Sequence, residues 1–218
     1  MKYKYYPNSR DGNHCVQACL QTLLDRFDLA VPNLEELDKV THHHPGSYTW
    51  MTSALIWLAS QGFKIIHVEN VDYRQFAERG PAYLSTIYSK DVFELQDRMS
   101  DLKMEQEFAS KLITTSGINL IHNRLAISDI GLFLEKGYSA LVSVNPFVLD
   151  GRSDLVGSHL VVVTSISPPT EASAGIVTIC DPDVGWRVIR YEVFEKAVQK
   201  DDFSMTFCII NKEIHIEK

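Results

Sequence analysis

Apolar residues recur at helical spacing from Cys15 to Phe27, where Val16, Cys19, Leu20, Leu23 and Leu24 share a face and Asp25, Arg26 and Asp28 mark the wetter end. The residues before this stretch, Asp11-Gly12-Asn13-His14, are loop formers, so the helix is predicted to start abruptly at Cys15. Asn33-Leu34-Glu35-Glu36-Leu37 opens a short second helix, with an N-cap asparagine and acids in the first turn. After the loop His42-His43-His44-Pro45-Gly46-Ser47, a third helix is expected from about Thr49 to Ser60, stopped by Gly62. A strand, Phe63 to Val68, and a brief helix, Tyr73 to Arg79, ended by Gly80-Pro81, come next. The longest helical pattern runs from about Lys90 to Ile113, with Val92, Leu95, Met99, Leu102, Ala109 and Leu112 or Ile113 on one stripe. Ile127 to Glu135 reads as a further helix ended at Gly137.

The rest of the chain is rich in strands. Ser139 to Asn145 reads as a central strand, and His159 to Ile166, Gly175 to Cys180, Trp186 to Ile189 and Thr206 to Ile210 as further strands of one antiparallel sheet. A helix near Tyr191 to Val198 precedes the last of them. Helices first and sheet later predict an α+β fold, in which an N-terminal helix packs on the sheet. There is no repeat, low-complexity tract or Gly/Ser linker, so one domain over 1–218 is expected.

Composition narrows the possibilities. A chain of 218 residues with 45% hydrophobic content has enough apolar surface for a real core. A formal net charge of −7 argues against a nucleic-acid footprint, which needs clustered positive charge, and leaves basic peptides or amines as compatible partners. Cys15, Cys19, Cys180 and Cys208 have the spacing of neither a zinc ribbon nor a disulfide framework. The stretch Met1 to Asn8 lacks a signal-peptide core, and no segment approaches a membrane span, so a reducing cytoplasm is the expected setting.

Three residues carry candidate chemistry. Cys15 falls at a helix N-terminus, where unpaired N–H groups and the positive end of the helix dipole favour the thiolate, the nucleophilic form. His159 opens an otherwise apolar strand, where a general base can stand at a sheet end. Asp181 ends the following strand and suits the group that orients the imidazole, with Asp183 competing for that role. Cys19, Cys180 and Cys208 read as core thiols. His14 reads as a loop histidine, and His42-His43-His44 as a solvated loop, with no Asp, Glu or Cys at ligand spacing to make it a metal site. The triad chemistry requires no metal or organic cofactor.

The stretch Tyr6-Pro7-Asn8 through His14-Cys15-Val16-Gln17-Ala18-Cys19-Leu20, Gly157-Ser158-His159 leading a strand, and Asp181-Pro182 with Gly185 together resemble the bacteriocin-processing, double-glycine leader cysteine peptidases and their stand-alone relatives. That family is papain-like. The resemblance implies a papain-like fold, with the nucleophile helix on the sheet and about 88–116 as a helical insertion, and a hydrolase cleaving a peptide or amide bond. Cys15 would be the nucleophile, His159 the base and Asp181 the orienting group. The family's cysteine usually follows an aspartate and precedes a glycine, where this chain has His14 and Val16. Its oxyanion-hole glutamine, six residues before the cysteine, is absent. Asn8, seven residues before Cys15, is the nearest amide of the right kind, followed by Gln17 and Asn13, while the backbone N–H of Cys15 is a donor in any case. A thiol acyltransferase or amide ligase, or an inactive peptide-binding module on the same fold, are the alternative outcomes of these residues.

Overall fold

The computed structural model describes residues 3–122, 126–152, 155, 157–199 and 207–212. Helices α1 (Cys15–Arg26), α2 (Leu34–Thr41) and α3 (Thr52–Ser60) lead into β1 (Phe63–Val68), and α4 (Tyr73–Arg79), α5 (Pro81–Ile87), α6 (Lys90–Met99) and α7 (Leu102–Leu112) follow. Then come β2 (Ile118–Ile121), α8 (Ile127–Glu135), β3 (Ser139–Val144) and α9 (Pro146–Leu149). β4 (His159–Ser167), β5 (Ile176–Asp181), β6 (Gly185–Arg190), α10 (Tyr191–Gln199) and β7 (Phe207–Lys212) complete the described elements.

One seven-stranded sheet runs in the order β2-β1-β7-β3-β4-β5-β6. The expectation of a wholly antiparallel sheet is corrected: β2 pairs with β1 in parallel, and the other described ladders are antiparallel. β2 was not foreseen, because four residues give too short a run for a period to stand out. Mixed α+β architecture follows from how the strands are patterned. Leu141, Leu160, Val162, Cys180, Cys208 and Ile210 face one core, while Ala140, Val142, Val161, Val163, Ile179 and Ile209 face a second. Alternate residues of a strand point to opposite faces, so continuous apolar runs such as Leu160 to Val163 need helices on both sides. α1, α3, α4 and α7 contribute to the first core; α8 and α10 contribute to the second.

α1 is almost entirely buried, which explains why it lacks a broad polar face. Leu20 and Leu23 are fully buried and contribute about 1.5–3 kcal/mol each through apolar burial. Asn33 caps α2 as expected, accepting from Glu36 N at 2.9 Å while the Glu36 carboxylate accepts from Asn33 N at 2.9 Å.

Two expected elements are divided differently. The pattern from Lys90 to Ile113 is two helices, broken where Ser100 adopts an extended conformation and Asp101 caps α7 through Met104 N at 3.0 Å. The Met99 carbonyl accepts from Tyr48 N at 2.7 Å, so the end of α6 is tied to the loop before α3. The apolar stripe stays in phase across this break and therefore hid it. Leu102, Ala109 and Leu112 of α7 lie in the first core, so this segment is built into the same packing as α1. Gly80, expected as a stop, is a corner from α4 directly into α5: its φ of 59° and ψ of −144° belong to glycine, and a Cβ there would collide with Gln106.

Candidate active site

α1 lies against β4, and the contact that sets their register is the Cys19 thiol donating to the Leu160 carbonyl at 3.3 Å. Cys15 is one helical turn before Cys19, and His159 is the residue before Leu160, so both fall at the same end of the helix–sheet contact. His14 supplies no side-chain cap to α1, which leaves the first-turn N–H groups directed at the region around Cys15. Tyr5 Oη donates to the Pro182 carbonyl at 3.1 Å, and Asn8 N donates to the same carbonyl at 2.8 Å. The N-terminal strap thus binds the turn after Asp181 to the start of α1.

His159 is buried, and its Nε2 lies 2.9 Å from Asp181 Oδ1. With Nε2 taken, Nδ1 is the nitrogen left for the thiol. Burial alone would push the imidazole down, but the hydrogen bond to Asp181, with the nearness of Cys15 and the Asp181 charge, raises it to about 10. Asp181 is held below its ordinary value: burial opposes ionisation, and His159, the Asp183 N–H and Arg187 outweigh it. Asp183 N donates to Asp181 Oδ1 at 2.9 Å, and Arg187 Nη1 lies 3.4 Å from Oδ2. Arg187 is itself held by the Leu149 carbonyl at 3.1 Å and Asp150 at 2.9 Å. Asp183 Oδ2 is 3.8 Å from His159 Nε2, and its side chain is half exposed.

Cys15 is partly exposed, whereas Cys19, Cys180 and Cys208 are buried free thiols. Burial pushes the Cys19 thiol well up, with neighbouring thiols and carboxylates adding to it. Cys180 is raised to about 11, by burial first and by Asp181, with the Thr22 hydrogen bond opposing. The accessible sulfur opens on a cleft of about 170 Å³, whose wall carries Asn13, Ser158, His159 and Leu160 beside it.

Asn8 is brought near but is fully engaged. Its Nδ2 donates to Asp183 Oδ1 at 2.6 Å and to the Gly12 carbonyl at 3.2 Å, and its Oδ1 accepts from His14 N at 2.8 Å and Ser9 N at 2.9 Å. Both amide protons are spoken for, and the side chain acts as the hub of the loop before Cys15. Gln17 is buried within α1 and donates to Thr41 Oγ1 at 2.8 Å, away from the cleft wall. Asn13, two residues before Cys15, is among the residues that line the cleft with it.

The far wall of the cleft was not foreseen. Tyr48, Trp50, Met51, Glu69, Tyr73 and Gln96 come from segments without motif or period that point at Cys15. Glu69 is buried there, bonded to Tyr73 Oη and to His67 Nε2, the latter at 2.9 Å. Burial alone would push His67 down, but Cys208 and Glu69 raise it to about 10. Arg187 also carried no sequence signal, because its role depends on strand pairing. No helix among the described residues is long and apolar enough to cross a membrane.

No protein-family model matches the chain, and no curated protein matches it in sequence.

Proposed function

We propose that this chain is a papain-like thiol hydrolase that cleaves a peptide or amide bond through an acyl-enzyme. The observation that supports this reading is His159, held at 2.9 Å by buried Asp181 and lining, together with the partly exposed thiol of Cys15, one cleft. The Cys15 sulfur attacks the substrate carbonyl carbon as His159 carries the thiol proton, and the carbonyl π electrons move to oxygen. The Cys15 backbone N–H, with Asn13 from the cleft lining, would donate to that oxyanion. As the tetrahedral species collapses, the C–N bond breaks and His159 protonates the leaving amine. Water then adds to the thioester, His159 takes its proton, and the acid leaves with the thiol restored. Asp181 accepts from the imidazole throughout and fixes its tautomer. An amine replacing water at the second step gives acyl transfer, and adding hydroxylamine during turnover measures that partition.

Mass-spectrometric mapping after limited iodoacetamide treatment at neutral pH tests the reading. Cys15 is expected to be labelled well ahead of the three buried thiols, and His159→Ala to slow that labelling. Equal, sluggish labelling of all four cysteines would overturn the proposal.

A further inference from the structure

The fold separates the three histidines of the His42-His43-His44 run. His42 ends α2 with a φ of 51° and packs tilted against Phe108, with ring centroids 4.7 Å apart. His43 turns the opposite way, onto His14, with centroids 4.4 Å apart. Asp38 of α2 completes a group in which one ring nitrogen of each histidine and one carboxylate oxygen lie within 4.8 Å of one another.

Each partner is arranged as a ligand would be. His14 Nε2 is 3.2 Å from Asp38 Oδ1 and 3.3 Å from Oδ2. That is close to the edge of a tetrahedron with metal–ligand distances of roughly 2.0–2.2 Å, which is about 3.3–3.6 Å. His14 Nδ1 is within 2.6 Å of Ser9 Oγ and 3.5 Å of Asp11 Oδ1, and His43 Nδ1 is 2.8 Å from Thr49 Oγ1. Metal-bound histidines are oriented in this way, through an oxygen partner on the ring nitrogen that does not bind the metal. His43 Nε2 is a buried atom without a hydrogen bond, which is costly unless something else satisfies it, and Asp38 Oδ1, also without one, meets only the His14 ring at ion-pair distance. The side chains of His14 and Asp38 are 13% and 30% exposed, which leaves an entry path and room for a water as fourth ligand.

We propose that His14 Nε2, His43 Nε2 and Asp38 bind a zinc-class divalent cation. Two imidazoles and a carboxylate favour zinc and its late first-row neighbours over magnesium or calcium, which prefer all-oxygen sites. The ion would join the loop before Cys15, α2, and the loop carrying Thr49, which lines the cleft. It is a clip on the cleft wall, independent of whether Cys15 is a nucleophile.

The test is zinc titration of the EDTA-dialysed full chain by calorimetry, with cobalt(II) absorption as the geometry probe. One saturable zinc equivalent is expected, retained in Cys15→Ala and Asp183→Asn, with a four-coordinate nitrogen and oxygen cobalt spectrum. His43→Ala and the isosteric Asp38→Asn should each weaken binding at least 100-fold, and Thr49→Val by about 10- to 100-fold, as for losing an orienting partner. Circular dichroism identifies variants that remain folded, and Asp38→Asn keeps the test open if His43→Ala does not fold. No saturable uptake by the wild-type chain would overturn the proposal. So would an equivalent that survives Asp38→Asn and Thr49→Val unchanged but disappears with Cys15→Ala or Asp183→Asn, which would place the ion at His159 instead.

Discussion

Two carboxylates face the Nε2 of His159, Asp181 at 2.9 Å and Asp183 at 3.8 Å, but Asp181 is buried and also accepts the Asp183 N–H. A buried acceptor fixes the imidazole tautomer, whereas a half-exposed one at the longer distance is screened by solvent. Asp181→Asn should therefore lower turnover by up to about 10⁴-fold, as in the comparable Ser-His-Asp change, while Asp183→Asn is mild. Steady-state rates of the two variants decide it, and a crippled Asp183→Asn with an active Asp181→Asn would reverse the assignment. The same pair shapes stability. His159 is raised from 6.5 to about 10, so its contribution is full below pH 6.5 and is lost as the pH rises through about 10. Asp181 is depressed, so its contribution is present above its unfolded value of 3.8 and is lost as the pH falls through its lower folded value. The stability gap between wild type and His159→Gln should accordingly narrow from pH 6.5 toward 10 in urea titrations. Asn8 holds three groups of its own loop and Asp183 of the turn after β5, so Asn8→Ala should slow alkylation of Cys15 and turnover together. Asn13→Ala should lower turnover alone, by about 10² to 10³, because alkylation forms no oxyanion. The reverse split would make Asn8 the donor.

At the level of elements, the informative contact is α7 against the start of α3, where buried Glu105 accepts from Thr52 Oγ1. Burial, with Asp101 and Glu69 adding and Thr52 opposing, raises Glu105 from 4.5 to about 7. The folded state holds this proton more tightly than the unfolded chain does. Its contribution is therefore full below pH 4.5 and is lost as the pH climbs to about 7, beyond which the buried charge costs stability. Glu105→Gln should be more stable than wild type above pH 7, by up to about 3 kcal/mol, and should converge with it below pH 4.5. Denaturation curves of the two proteins that run parallel across this range would contradict the argument. The helix starts at Cys15 and Asn33 were legible because capping and loop formers act over a few residues. The break at Ser100 was not, since it depends on Asp101 capping and on Tyr48 taking the Met99 carbonyl.

Across the whole molecule, β7 lies between β1 and β3 and pairs with both, so among the described residues it alone joins the β1–β2 pair to the β3–β6 ribbon. Ile209 and Ile210 are fully buried on opposite faces. Each should lose about 2–5 kcal/mol on replacement by alanine, and a chain ending at residue 206 should show no cooperative melting. A truncated chain that melts like wild type would show that β7 is dispensable. The sequence alone determined the α+β character, the apolar run that follows His159, and the helix start and strand positions of Cys15, His159 and Asp181. These follow from periodicity, capping and turn residues, which act between near neighbours in the chain. Tertiary structure alone decided that Asn8 is committed to its own loop and to Asp183, that Glu69 and Tyr73 line the cleft, that β2 runs parallel to β1, and that His14, Asp38 and His43 meet. Each of those depends on how separately formed elements pack and on where their loops cross, and such approaches leave no period or spacing in the chain.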